Sequence, residues 1–250
     1  IREHAMGSIL NGMALCGLRV FGSCFLAFSD YLKPAIRMSA MMNLPVTYIF
    51  THDSILVGQD GATHDPVEQL AMLRSIPNFH VYRPADYKEL IGCWNEILEN
   101  ASPCALILPR GHVETQEFTN PAGIKYGAYI ISEVKKSLDV ILIASGSEVE
   151  LAMNLKEELV KNYIEARVVT VPCLENFLAQ EEDYKSEVLP DGYRKVAIEF
   201  SNDSTWYKIL DKDDDFIHVS EFGKSGCEED VLKDLELDIP SLVMRIKNDI

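Results

Sequence analysis

Pro45-Val-Thr-Tyr-Ile-Phe-Thr51 runs directly into His52-Asp-Ser-Ile-Leu-Val-Gly-Gln-Asp-Gly-Ala-Thr-His-Asp-Pro66. The first segment is a short apolar run bounded by proline, the pattern of a buried strand. The second packs two histidines, three aspartates and two glycines into fifteen residues. Glycine lets a loop fold tightly and bring its side chains together. In open α/β sheets, ligands bind beyond the carboxyl ends of the strands. The pair therefore marks both a fold class and a candidate site. The plainer reading is a solvated turn in which Asp and His cap helices. Spacings in the loop match no familiar metal-ligand pattern, so no metal ligand is expected.

The same alternation continues on both sides. Upstream, Met6, Ile9, Leu10, Met13 and Cys16 recur at helical spacing, and Gly7, Ser8 and Gly12 are small enough to admit another helix. Val20 to Phe28 reads as a strand entering a loop, and Ser29 or Asp30 can cap a helix through about Met42. Downstream, Pro66 opens a helix to Arg74, at a position that needs no N–H. A strand at His80–Arg83, a helix at Asp86–Glu99 and a strand at Cys104–Leu108 follow. Residues 111–124, polar with Pro121 and Gly123, read as a linker. Beyond it, strands are predicted at Asp139–Ala144, Ala166–Val171, Lys195–Glu199 and Phe216–Val219. Helices are predicted at Glu148–Tyr163, near Glu228–Leu235 and at Pro240–Asn248, with a tight turn at Ser145–Ser147. Strands alternating with helices build parallel sheets with right-handed crossovers. The expected fold class is α/β, with two consecutive parallel-sheet, three-layer domains at 1–118 and 119–250.

Bulk properties narrow the function. The 250 residues are 47% hydrophobic and 25% charged, a globular composition, with a formal net charge of −16. That charge repels nucleic acid and anionic membrane, so neither is expected as a partner. Ala5 to Phe28 carries Arg19 as its only formal charge. Four glycines, Asn11 and Arg19 make it a poor membrane span, and a buried helix followed by a buried strand fits better. The six cysteines include no C-x-x-C pair, which predicts buried free thiols in a reducing, cytoplasmic setting. Ile1 is not a translation start, and the chain is expected to be a fragment or one subunit of a split enzyme.

Several segments together resemble the transketolases. Thr51-His-Asp-Ser-Ile55 with Gly58-x-Asp60-Gly61-x-Thr63-His64-x-Pro66 is similar to that family's substrate loop. Ile1-Arg-Glu3-His4-x-Met6-Gly7 resembles its glutamate motif, and Phe25-Leu-x-Phe28-Ser-x-Tyr31 its aromatic segment. Arg83-Pro-Ala-Asp86 and Leu108-Pro-Arg110 keep the register. A looser likeness continues through Ala144-Ser-Gly-Ser-Glu148 and Phe222-Gly-x-Ser225. Long motifs in the right order carry more than a lone glycine pattern. The resemblance implies a pyrimidine-binding domain, lacking its first strand, followed by a transketolase C-terminal domain.

Roles follow from the resemblance residue by residue. Glu3 would hydrogen-bond the pyrimidine N1′ of thiamine diphosphate; alone, it is an acidic residue favoured by the helix dipole. Phe25, Phe28 and Tyr31 would surround the aminopyrimidine, although their spacing also suits one apolar helical face. His52 and His64 would bind the sugar and relay protons, with His64 counted as catalytic alongside Glu3. Asp60 would read a substrate hydroxyl, and Arg110 would hold the sugar's phosphate. Gln59, Ala62 and Asp65 depart from residues common in the family and put loop rigidity and substrate preference in doubt.

The family's Gly-Asp-Gly motif for Mg²⁺ or Ca²⁺ and the diphosphate is absent. The resemblance therefore implies half of a transketolase, inactive alone, acting in the pentose phosphate pathway. It would act as a homodimer, or as a heterotetramer with an amino-terminal transketolase half. Together they would move a two-carbon ketol unit between sugar phosphates. Dihydroxyacetone synthase, deoxyxylulose phosphate synthase and 2-oxo-acid dehydrogenase β subunits are rival enzymes. A non-catalytic assembly or regulatory subunit that kept the fold is the rival from another class. The C-terminal unit is expected to dimerise or stabilise, with no site of its own.

Overall fold

A computed structural model describes residues 2–134 and 137–248. Ile1, which opens the glutamate motif, lies outside the described residues. The first unit comprises α1 (Glu3–Leu15), β1 (Val20–Phe25), α2 (Ser29–Met41), β2 (Val46–Thr51), α3 (Gln69–Arg74), β3 (His80–Tyr82), α4 (Tyr87–Asn100) and β4 (Cys104–Ile107). Its four strands are all parallel, in the order β1-β2-β4-β3. Phe25 stands opposite Thr51, and Phe50 opposite Ile107. The carboxyl ends of β1, β2 and β4 therefore open at one edge, which is where an α/β sheet presents a site.

Small residues bring α1 onto α2. A methyl group at Gly7 would lie 2.7 Å from Ala35 Cβ and 2.8 Å from Leu32 Cδ2. Gly12 faces open space, so of the two expected contact glycines only Gly7 is one. Behind that contact, Asn11 donates to the Ala35 carbonyl at 2.9 Å and accepts from Ser39 Oγ at 2.6 Å. Both of these buried side chains, Asn11 and Ser39, have partners, as burial requires. The expectation of a buried α1 holds for one face only. Leu10 and Ala14 are buried, while Ile9, Met13 and Leu15 are exposed, and so is Phe21 on β1. No helix among the described residues is long and apolar enough to cross a membrane.

Residues expected to form a free linker are tied down. Asp86 caps α4 by accepting from Glu89 N at 3.0 Å. Its second oxygen accepts from Thr119 Oγ1 at 2.5 Å and Gln116 N at 3.1 Å. A short 3₁₀ helix at Pro121–Tyr126 then leads into the second unit.

That unit comprises β5 (Tyr129–Ser132), β6 (Val140–Ala144), α5 (Glu148–Lys161), β7 (Ala166–Thr170), α6 (Leu174–Leu178), α7 (Glu182–Val188), β8 (Arg194–Ile198), β9 (Asp215–Ile217), α8 (Glu228–Asp234) and α9 (Ile239–Asn248). The strand order is β5-β7-β6-β8-β9. β6 to β9 are parallel, while the edge strand β5 runs antiparallel to β7. Every residue of β6 is buried, as suits a central strand covered on both faces.

One apolar core crosses between the units. Tyr82, Ala85, Cys93 and Leu106 of the first share it with Val140, Leu142, Val168 and Val196 of the second. Glu89, wholly buried at the same seam, accepts from Tyr129 Oη at 2.7 Å, Thr170 Oγ1 at 3.0 Å and Ala85 N at 2.7 Å. All six cysteines are free, but only Cys93, Cys104 and Cys173 are buried. Cys16 and Cys227 are exposed, against the expectation of buried thiols.

Candidate active site

The first turn of α1 places Glu3 at the rim of an open pocket of about 630 Å³, lined by Arg2, Glu3, His4, Ala5, Phe28 and Tyr31. Phe25, Phe28 and Tyr31 do not share a helical face. Phe25 ends β1, Phe28 belongs to a 3₁₀ turn and Tyr31 lies in α2. The rings nevertheless form a ladder. Tyr31 and Phe28 have centroids 6.2 Å apart, Phe28 and Phe25 stack at 6.0 Å, and Phe25 stacks on the His52 ring at 3.6 Å. His64 meets the edges of Phe25 and Phe28 at 6.2 Å and 5.3 Å. Offset and edge-on contacts of this kind suit aromatic quadrupoles.

Sheet register explains the Phe25–His52 contact. Phe25 pairs with Thr51, the last residue of β2, so the residue that follows the strand emerges over the Phe25 ring. His52 turns there in the left-handed region, at φ 61°, a conformation that costs a non-glycine residue about 1–3 kcal/mol. Its Nδ1 lies 3.0 Å from Thr51 Oγ1. Burial, then the Arg110 guanidinium, hold the ring below the usual imidazole range, against the pull of Asp60 and Asp53. A neutral ring keeps one nitrogen as an acceptor.

The loop folds back beyond His52. Asp60 ends a 3₁₀ turn at Gly58–Asp60 and is exposed. Arg110, three residues past β4 and also exposed, brings its guanidinium against Gly58. His64 Nδ1 lies 2.8 Å from Thr63 Oγ1. Of the sequence-predicted residues, Phe25, Phe28, Tyr31, His52 and His64 form one aromatic cluster, with Asp60 and Arg110 in electrostatic reach of His52. Glu3 joins them through the pocket it shares with Phe28 and Tyr31.

Sequence reading missed how the second unit grips this loop. Ser225 Oγ donates to the Gln59 carbonyl at 3.0 Å. Gly223 lies against the Asp65 side chain, where any Cβ would collide with the carboxyl. Asp65 is buried, and neither of its oxygens has a hydrogen-bond partner among the described residues. Burial, helped by Asp60 and opposed by His64, pushes its pKa up to about 6.

Behind the loop lies a buried ionic chain. Arg83 donates to Asp53 Oδ2 at 2.7 Å and pairs with Glu148 Oε2 at 2.5 Å. Glu199 receives Arg74 in a two-pronged contact at 2.8 and 2.9 Å, with Trp206 Nε1 at 2.9 Å and Ser145 Oγ at 2.6 Å. Burial alone would raise Glu199, but Arg74 wins and holds its carboxyl far below the usual range. Glu148, wholly buried, is pushed up by burial despite Arg83. Charged residues at the mouths of apolar strands, as at Arg83 and Glu199, were the signal available in the sequence.

Among the described residues, no group of three or more His, Cys, Asp and Glu is arranged to hold a metal ion. The pocket beside Glu3 sets two aromatic side chains and one carboxylate beside Arg2 and His4, a lining with stacking surface and a hydrogen-bonding carboxylate for a flat nitrogen heterocycle. Comparison with known proteins agrees with the class of fold described. The profile for "Transketolase, pyrimidine binding domain" matches residues 1–116, and that for "Transketolase-like TK C-terminal domain" matches 127–238. The transketolase of Bacillus subtilis is 46% identical over an alignment of 254 positions that covers 99% of this chain and 38% of that protein. A crystal structure of a transketolase mutant from Pichia stipitis superposes with a TM-score of 0.94 at 34% identity, over 99% of this chain and 36% of its own. A split-gene transketolase, solved as an inactive β4 tetramer, superposes at 0.83 with 22% identity, over all of this chain and 82% of its own, and bears on the fold alone.

The chain belongs to the transketolase family, and corresponds to its carboxyl-terminal half. It spans about two fifths of the length of the curated relative from Bacillus subtilis.

Proposed function

We propose that this chain is the pyrimidine- and sugar-binding half of a transketolase, divided near residue 118, and that it works with a diphosphate-binding half. The assembled enzyme transfers a two-carbon ketol unit from a ketose phosphate to an aldose phosphate. The observation that carries this reading is the continuous ladder from the Glu3 pocket through Phe28 and Phe25 to His52, with His64 on its edge. Thiamine diphosphate, when bound, supplies a nucleophilic carbon and an electron sink.

Residues of this chain do the rest. Glu3 shares a proton with the pyrimidine ring nitrogen, while Phe25, Phe28 and Tyr31 hold the ring by stacking and edge contacts. His52, kept neutral, accepts a hydrogen bond from a substrate hydroxyl, and His64 holds or releases a proton at the reacting oxygen. Asp60 accepts from a hydroxyl, and Arg110 binds the phosphate with two parallel N–H groups. Mg²⁺ or Ca²⁺ and the diphosphate belong to the other half, so this chain alone turns nothing over. The exposed apolar side chains of Ile9, Met13, Phe21, Met38 and Met41 support a partner that covers α1, β1 and α2. Free cysteines support a cytoplasmic setting.

The test is reconstitution with an amino-terminal transketolase half, thiamine diphosphate and Mg²⁺, assayed with xylulose and ribose phosphates. Ketol transfer is expected from the mixture and from neither half alone. Glu3→Gln should lower kcat by at least about a hundredfold, as loss of a positioned proton-sharing group does. An undiminished rate would favour the non-catalytic assembly role.

A further inference from the structure

The second unit reaches the candidate site through a route that no family role above assigns. His52 holds a left-handed backbone at φ 61°, and its ring is fixed in front by Phe25. Its backbone needs an equally firm hold from behind, because a strained conformation persists only where its surroundings over-determine it. The next residue supplies one. Asp53 is 4% exposed, and its Oδ2 accepts from Arg83 Nη2 at 2.7 Å and from Ser147 Oγ at 2.9 Å.

Arg83 cannot move to follow Asp53. Its other nitrogen is pinned by Glu148 Oε2 at 2.5 Å and by the Ser145 carbonyl at 3.0 Å. Gly146 leaves room for it, since a methyl group there would lie 2.7 Å from Arg83 Cγ. The backbones are stitched too, with Arg83 N donating to Pro172 O at 2.8 Å and Gly146 N to Arg83 O at 3.1 Å. Ser145, Gly146, Ser147 and Glu148 all belong to the turn after β6 and the start of α5. This turn stands at the carboxyl end of a strand, yet it points its side chains at a neighbouring unit's loop.

We propose that Asp53 is the positioning residue for His52, and that the Ser145–Glu148 turn of the second unit sets its position through Arg83 and Ser147. The catalytic meaning of that position rests on the transketolase reading; the positional claim does not. The charged groups that face His52 are Arg110, Asp60, Asp53 and His64.

The experiment uses ring-current shifts. In the chain labelled at its six histidines, the His52 ring resonance is assigned by its loss in His52→Ala. Phe25→Leu gives the reference shift of an unstacked ring. Ser147→Ala removes no charge, so it reads geometry alone, and Asp53→Asn tests the same link more strongly. Ser201→Ala is the control, because Ser201 donates to Glu199 at 2.7 Å in the same network without touching Asp53. The expected result is a His52 resonance moved toward the Phe25→Leu value in Ser147→Ala, with Ser201→Ala unchanged. In the reconstituted enzyme, Ser147→Ala should also lower kcat/KM about tenfold, as a small misplacement of a reacting group does. A His52 resonance that stays in place in folded Ser147→Ala, or that moves equally in Ser201→Ala, overturns the proposal. The resonance needs no turnover, so a mixture that fails at ketol transfer leaves this result standing by itself.

Discussion

Asp65 carries the least ordinary proton in the loop after β2. It is buried with no donor for either oxygen among the described residues, next to His64 in sequence and against Gly223 in space. The unfolded chain releases the Asp65 proton near pH 3.8, while the folded chain keeps it to about pH 6. Between those values the folded state binds more protons, so stability falls as pH rises through this window. Asp65→Asn should make that slope shallower, leaving the part that Glu89 and Glu148 contribute because burial raises them too, and urea melts between about pH 4 and pH 6.5 will register the difference. A slope unchanged in the variant would place the titration elsewhere. The sequence flagged Asp65 as a departure from the residues common in the family. It did not reveal the missing donors, because these depend on Gly223, which lies far away in the chain.

At the level of elements, α1 carries Glu3, and its seat on α2 depends on Gly7. A side chain at position 7 would meet Ala35 Cβ and Leu32 Cδ2 below van der Waals distance. Gly7→Val should cost about 1–3 kcal/mol by overpacking, while Gly12→Ala, in open space, should gain a few tenths or more from helix propensity. Chemical denaturation of the two variants side by side checks both signs. Most elements were legible because their apolar runs keep one period: β2, α4, β6 and α5 lie within two residues of their predicted bounds. β5, α6 and α7 were not. β5 is four residues long with only alternate residues buried, and α6 and α7 span five and seven residues, too few for a helical period to declare itself. The aromatic triplet was ambiguous by spacing alone, although Val20 to Phe28 already read as a strand entering a loop before a helix. Its i, i+3, i+6 spacing imitates a helix face, while the chain in fact passes from strand through 3₁₀ turn to helix.

Across the whole molecule, two buried arginines of the first unit, Arg74 and Arg83, tie it to Glu199, Asp203 and Glu148 of the second. Breaking a buried pair from one side leaves a charge without its partner, at about 3–5 kcal/mol. Glu199→Gln should therefore lower the melting temperature in calorimetry while keeping one transition, because the apolar core is continuous across the seam. Two separate transitions would contradict that continuity. None of this pairing was legible beforehand. Arg74 and Glu199 stand 125 positions apart, and no local periodicity encodes so distant a partner. The shared core also bears on descent. A chimaera drawing its first unit from one relative and its second from another would join two faces shaped in different lineages. Close-packed interiors tolerate few such mismatches. The two units are thus expected to be inherited as a pair, with natural recombination within the family cutting outside them.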